Sequence, residues 1–193
     1  MEEDFVLERT KRRHALAEIE KLIKKSPNLH IGPSELKVAA TLVIACHMHR
    51  ISTPIIRHPL ANIENLEIID VLVNCWNVST STGTLWKHYP HFKVILGSEA
   101  NGDGRLLRGE IMTITGIMVG RLRSKRLRPH VVAPMLVLSL MGHCHARVLE
   151  ADFDGKILNI RASKLYDFTQ KNTEFVHSLT RYWLGGACGK IEL

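Results

Sequence analysis

The chain has 193 residues, 45% of them hydrophobic and 23% charged, and 26 Lys and Arg against 19 Asp and Glu give a formal net charge of +7. That composition belongs to an ordinary folded domain and excludes a wholly disordered chain or a fibrous repeat. A chain this long buries roughly 70% of the surface its unfolded form exposes, so folding requires no disulfide, metal or partner. Residues 2–25 are rich in helix formers and carry Val6, Leu16, Ile19 and Ile23 as an apolar stripe, which predicts a long amphipathic helix. Ser26-Pro27-Asn28 ends it, and Gly32-Pro33-Ser34-Glu35 opens a second, mostly apolar helix of about 15 residues. Residues 62–77 place Ile63, Leu66, Ile69, Val73 and Trp76 three and four apart, which favours a third helix, while the β-branched content of 68–73 leaves a strand open. The Ser/Thr run 79–84 is expected as a loop, and 92–96 alternates as a short strand.

Gly102-Asp103-Gly104 precedes a helix that sets Leu107, Ile111, Ile114, Met118 and Leu122 on one side. Gly109, Thr113, Gly116 and Gly120 form a ridge of small residues on it, suited to close approach of a neighbour, and Pro129 stops it. Residues 131–140 are almost continuously apolar, as in a strand buried on both faces. Segments 146–152 and 156–164 flank Phe153-Asp154-Gly155-Lys156, a hairpin signal. A last helix over 172–184 turns Phe175, Leu179, Tyr182 and Trp183 inward. Together these elements predict an α+β fold, with a small antiparallel sheet of three to four strands packed with about five helices. One domain spans 1–193, its 2–77 half mainly helical and its 92–193 half built from strand, hairpin and helix.

The opening Met-Glu-Glu-Asp-Phe-Val lacks a basic n-region followed by an apolar h-region, so no secretory signal is expected. The apolar stretches around 38–46 and 131–141 fall short of the about 20 residues of a membrane-spanning helix. The chain is therefore expected inside the cell, cytoplasmic or nuclear, without a transmembrane segment. Cys46, Cys75, Cys144 and Cys188 have no Cys-x-x-Cys spacing and are expected as free, mostly buried thiols. The sequon Asn77-Val78-Ser79 is idle on that reading.

Charge is concentrated in residues 105–128, where Arg105, Arg108, Arg121, Arg123, Lys125, Arg126 and Arg128 face Glu110 alone, so that this stretch holds six of the seven net positive charges. Arg121, Arg123, Lys125, Arg126 and Arg128 are the candidate binding residues, for nucleic acid or another phosphate-bearing ligand. A helix dipole by itself favours such cations by about 0.3–1 kcal/mol each, which is the plain structural reading. The 123–128 run also fits a nuclear address, and a protein partner or a second copy of the chain is the other occupant expected of such a face. Glu99, Asn101, Asp103, Gly104 and Glu110 follow calcium-loop spacing, but Glu stands at the first position and Arg105 and Arg108 bring positive charge into the loop. A glycine turn with Asp103 near a helix start is the favoured reading. His143-Cys144-His145 puts two imidazoles on one face of a strand, yet spacing identifies no third ligand, and the pairs His47/His49 and His88/His91 are expected as ordinary hydrogen-bonded histidines. No nucleophile elbow, phosphate-binding Gly-Lys-Ser/Thr loop or dinucleotide fingerprint occurs.

The order helix, strand, two-stranded hairpin, helix over 105–184 resembles the core of the PD-(D/E)XK nuclease-like family. That resemblance implies catalytic roles for Glu110 on the helix, Asp152 on the second strand and Lys164 on the third, with Mg or Mn as cofactor. Ala162 stands where the family has the acid two residues before the lysine. The stretch Gly109 to Trp183, with Ser163-Lys164-Leu165-Tyr166-Asp167-Phe168, is similar to uncharacterised proteins of filamentous fungi. The leading expectation is a non-catalytic binding or interaction module that uses the basic face and needs no cofactor. The alternative is a metal-dependent nuclease, or its inactive derivative, acting on nucleic acid.

Overall fold

The computed structural model describes residues 2–32, 43–48, 72–74 and 90–184. In chain order the elements are α1 (Glu2–Lys25), β1 (His30–Ile31), β2 (Val43–Met48), β3 (Leu72–Asn74), β4 (Phe92–Ser98), β5 (Leu106–Leu107), α2 (Arg108–Arg123), a single 3-10 turn (Lys125–Leu127), β6 (Met135–Met141), β7 (His145–Phe153), β8 (Ile157–Ala162), β9 (Tyr166–Asp167) and α3 (Thr173–Leu184). Strands β1 and β5 pair by themselves, and the other seven form one sheet in the order β2-β8-β7-β6-β4-β3, with β9 also on β7.

The sheet is mixed. β6, β7 and β8 make an antiparallel meander, while β4 runs parallel to β6 and β2 parallel to β8. A parallel neighbour requires a crossover connection, and α2 lies within the one that leads from β4 to β6. The β7–β8 turn is the Asp-Gly tip read from the sequence: Gly155 has φ +109°, and Asp154 Oδ1 accepts the Lys156 and Ile157 N–H groups, both at 2.7 Å. Arg12 ties this tip to α1 by donating to the Phe153 carbonyl at 3.1 Å.

Alternation along the strands divides the core into two layers. Phe92, Val94, Met135, Val137, Leu149 and Ile160 meet α1 and α2 through Leu16, Ile19, Ile111, Ile114 and Met118. Each such buried aliphatic side chain contributes about 1.5–3 kcal/mol relative to exposure. The opposite face offers Leu138 and Val148, with Ile95 and Leu136 beside them, to Tyr182, Leu179 and Trp183 of α3. The start of α3 is capped by Asn172, whose Oδ1 accepts the Phe175 N–H at 3.1 Å, and Phe175 stacks on Tyr166. Its far end is held by Lys93, 8% exposed, whose Nζ donates to the carbonyls of Tyr182 at 2.8 Å and Trp183 at 2.7 Å. Burial lowers the Lys93 ammonium to about 8.

Several sequence expectations are corrected. The sheet has seven strands of mixed direction rather than three or four antiparallel ones, and the described residues hold three α-helices rather than about five. The N-terminal half is not simply helical: 43–48, expected within the second helix, and 72–74, expected within the third, are strands. An unbroken apolar run serves a buried strand as well as a buried helix, so periodicity could not separate them. On α1, Val6 is 52% exposed and Arg9 takes the buried place instead. The glycine ridge of α2 has no close neighbour among the described residues, since a Cβ built at Gly109, Gly116 or Gly120 meets none of them within 4 Å. The 79–84 loop and the Asn77 sequon lie outside the described residues. No described helix is long and apolar enough to cross a membrane.

Candidate functional site

The basic segment is built on the C-terminal end of α2, where backbone carbonyls lack helical partners. Arg9 of α1, 5% exposed, fills that need. Its guanidinium donates to the carbonyls of Leu122, Leu127 and His130, and to those of Ser124 at 3.0 Å and Arg121 at 3.5 Å. Desolvation first, then the charges of Arg13 and Arg128, lower the Arg9 pKa from its ordinary value. One buried cation thus fixes the path of residues 121–130 against α1 and adds positive charge beneath the surface.

Of the five candidate binding residues, Arg121 is turned inward: its guanidinium lies 5.1 Å from the Phe92 ring centroid and donates to the His91 carbonyl at 3.4 Å. Arg123, Lys125, Arg126 and Arg128 are exposed, and none of the four is in an ion pair among the described residues. His91 is held below the usual imidazole range by burial, then by His130 and Arg121. The other cations of the stretch have different work. Arg105 pairs with Asp103 at 2.6 Å, and Arg108 donates to the Ser26 carbonyl at 2.6 Å.

Glu110 is 0% exposed and belongs to the core. It accepts the Leu107 N–H at 2.8 Å, closing the first turn of α2, and forms a two-bond ion pair with Arg147 of β7, with Nε to Oε1 at 2.9 Å and Nη2 to Oε2. Arg147 alternates with Leu149 and Ala151 on the face toward α2. Asp152, one position out of phase, lies on the other face, where it accepts from Arg161 at 2.8 Å and Asn159 at 3.0 Å. Lys164 is exposed beyond the end of β8, its Nζ 5.2 Å from the Tyr166 ring centroid. The sheet therefore separates Glu110 from Asp152, and the three residues of the nuclease resemblance are not brought together.

The calcium-loop residues take the turn role. Asp103 accepts the Arg105 N–H at 2.7 Å and both Arg105 guanidinium contacts, and the Arg105 side-chain bonds hold its carboxyl below the usual range. Glu110, the expected twelfth-position ligand, is already committed to Arg147. Of the histidine pairs, His49 and His88 lie outside the described residues.

Sequence reading missed Arg9 and Arg147, although each left a trace. Arg9 stands seven positions before Leu16 and fourteen before Ile23, in phase with the buried stripe of α1. Arg147 interrupts an apolar alternation, and Glu110 interrupts the apolar side of α2. Two opposite charges in buried phase on separate elements point to each other. No family model, no curated protein and no solved structure matches the chain.

Proposed function

We propose that the protein is a non-catalytic binding module whose exposed cations Arg123, Lys125, Arg126 and Arg128 hold a phosphate-bearing partner, nucleic acid being the polymer that offers several phosphates in succession. The observation that carries this reading is the exposure of four cations without ion-pair partners among the described residues, on a segment whose backbone Arg9 pins to α1. Such pinning pre-orders the backbone that carries the charges, so less of it has to be ordered on contact with phosphates. The helix dipole accounts for cations at a helix end, but it acts mainly within the last turn, whereas Lys125, Arg126 and Arg128 lie past it. The nuclease reading has less support, because Glu110 and Asp152 offer no carboxylate pair to one metal ion.

Fluorescence anisotropy with labelled duplex and single-stranded oligonucleotides, from low to physiological salt, tests the proposal. The wild type should bind with an affinity that falls steeply with salt, and Arg123→Ala/Lys125→Ala/Arg126→Ala should flatten the slope by about 1 unit per lost contact. Absence of salt-dependent binding at tens of micromolar protein removes nucleic acid as the partner.

A further inference from the structure

We propose that Cys144, His145 and Asp167 form an open three-ligand site for a divalent transition metal of the zinc class. The site lies where the β6–β7 turn meets β9, on elements other than the basic segment. Its ligand atoms, one each from the thiol, the imidazole and the carboxylate, all lie within 4.8 Å of one another. The sulfur is 3.8 Å from His145 Nδ1. Tetrahedral zinc, with bonds of about 2.0–2.3 Å, spaces its ligands about 3.3–3.6 Å apart, so closing the set around an ion asks the three atoms to approach one another by no more than about 1.5 Å.

The backbone holds the three residues in place before any ion arrives. His145 and Asp167 are directly opposed in the β7–β9 register, which puts their side chains on one face, and the Phe168 N–H donates to the Cys144 carbonyl at 2.7 Å. Gly142 turns the chain at φ +54°, with its N–H on the Ser98 carbonyl at 2.8 Å. Asp167 Oδ1 accepts the Thr169 N–H at 2.8 Å, which orients the carboxylate. In the sequence the third ligand was hidden, because Asp167 lies 22 positions after His145 and only β9 brings it back.

The donor chemistry selects the metal. A thiolate with an imidazole favours zinc and its neighbours over magnesium or calcium, which prefer oxygen alone. Cys144 and His145 are half-buried and Asp167 is exposed, so an ion has an entry path and its fourth position faces solvent. That is the pattern of a site with an exchangeable ligand rather than of a closed structural centre.

The test uses the full chain and Co²⁺ as a spectroscopic stand-in. One equivalent should bind with a sulfur-to-cobalt charge-transfer band and be displaced by Zn²⁺. Cys144→Ser should abolish the band, and His145→Ala and Asp167→Asn should each weaken binding at least tenfold. Because a variant that fails to fold would also lose the band, the wild type supplies a second readout. Zn²⁺ should slow alkylation of Cys144, followed by peptide mass spectrometry that resolves it from Cys46, Cys75 and Cys188. A band that survives in Cys144→Ser, wild-type affinity in Asp167→Asn, or Cys144 alkylation at one rate with and without Zn²⁺ would overturn the proposal.

Discussion

Replacing Arg147 by Met leaves the Glu110 carboxylate in the core with the Leu107 N–H as its remaining donor. Both side chains are almost fully enclosed, at 0% and 2% exposure, so solvent does little to compensate. Removing one partner of such a pair costs about 3–5 kcal/mol. For a chain of this size each kcal/mol shifts the melting temperature by about 2–4 °C, so Arg147→Met should lower it by about 6–20 °C. Glu110→Met should cost a similar amount and also release the Leu107 N–H, worth about 1 kcal/mol. With both replaced no uncompensated charge remains, and the double variant should be less destabilised than the sum of the singles by about 2–3 kcal/mol. Urea unfolding followed by circular dichroism measures all four proteins, with a common slope as the check on two-state behaviour. Additivity within about 0.5 kcal/mol would refute the account of the pair. So would a stabilising Glu110 replacement, which is what an acid retained for metal chemistry at the expense of stability would give.

Other outcomes follow from the same contacts. Arg9→Met should destabilise by about 1.5–3 kcal/mol through loss of charged hydrogen bonds to the carbonyls of α2, and Arg9→Lys should recover only part, because an ammonium cannot span that fan of acceptors; thermal melts decide. Lys93, at about 8 when folded against 10.5 for its ordinary value, releases its proton earlier in the folded chain. The unfolded chain binds more protons between those values, so stability should rise from pH 8 toward pH 10, by at most about 3 kcal/mol, and equal pH slopes for wild type and Lys93→Met would refute this. Gly142→Ala should cost about 1–2 kcal/mol for its left-handed φ, and Asn101→Ala should leave that part unrelieved although it removes the Asn101 Oδ1 that a new Cβ would meet at 2.5 Å; urea midpoints are the readout.

What the sequence disclosed was local. The Asp154-Gly155 tip, the buried side of α2 and the inward Phe175 and Tyr182 of α3 all follow from turn chemistry or period within a short window. What it hid depends on distant parts of the chain. Val43–Met48 is apolar enough for either a helix or a strand, and its partner β8 decides the matter. The basic run was plain in composition, yet the inward turn of Arg121 needed Phe92 and His91 to be placed beside it. Glu110 looked like a reactive acid because Arg147 was not visibly its neighbour, and Asp152 looked like its companion because strand phase was not compared across elements.

The strand order carries a consequence for how the chain assembles. At the centre of the sheet β6, β7 and β8 follow one another in sequence and are linked by short turns. The flanks come from the earlier part of the chain, since β2, beginning at residue 43, lies beside β8, beginning at residue 157, and β3 and β4 occupy the other side. Closing a long loop is entropically slow, so the meander is the natural nucleus, and substitutions in the β7–β8 turn should slow refolding more than equally destabilising ones in β2. On the ribosome the segments made first are then the last to find their places, and β2 emerges as an apolar strand well before its partner exists. On that order synthesis runs against assembly, and in the interval an unpaired apolar strand is open to pairing with strands of other molecules.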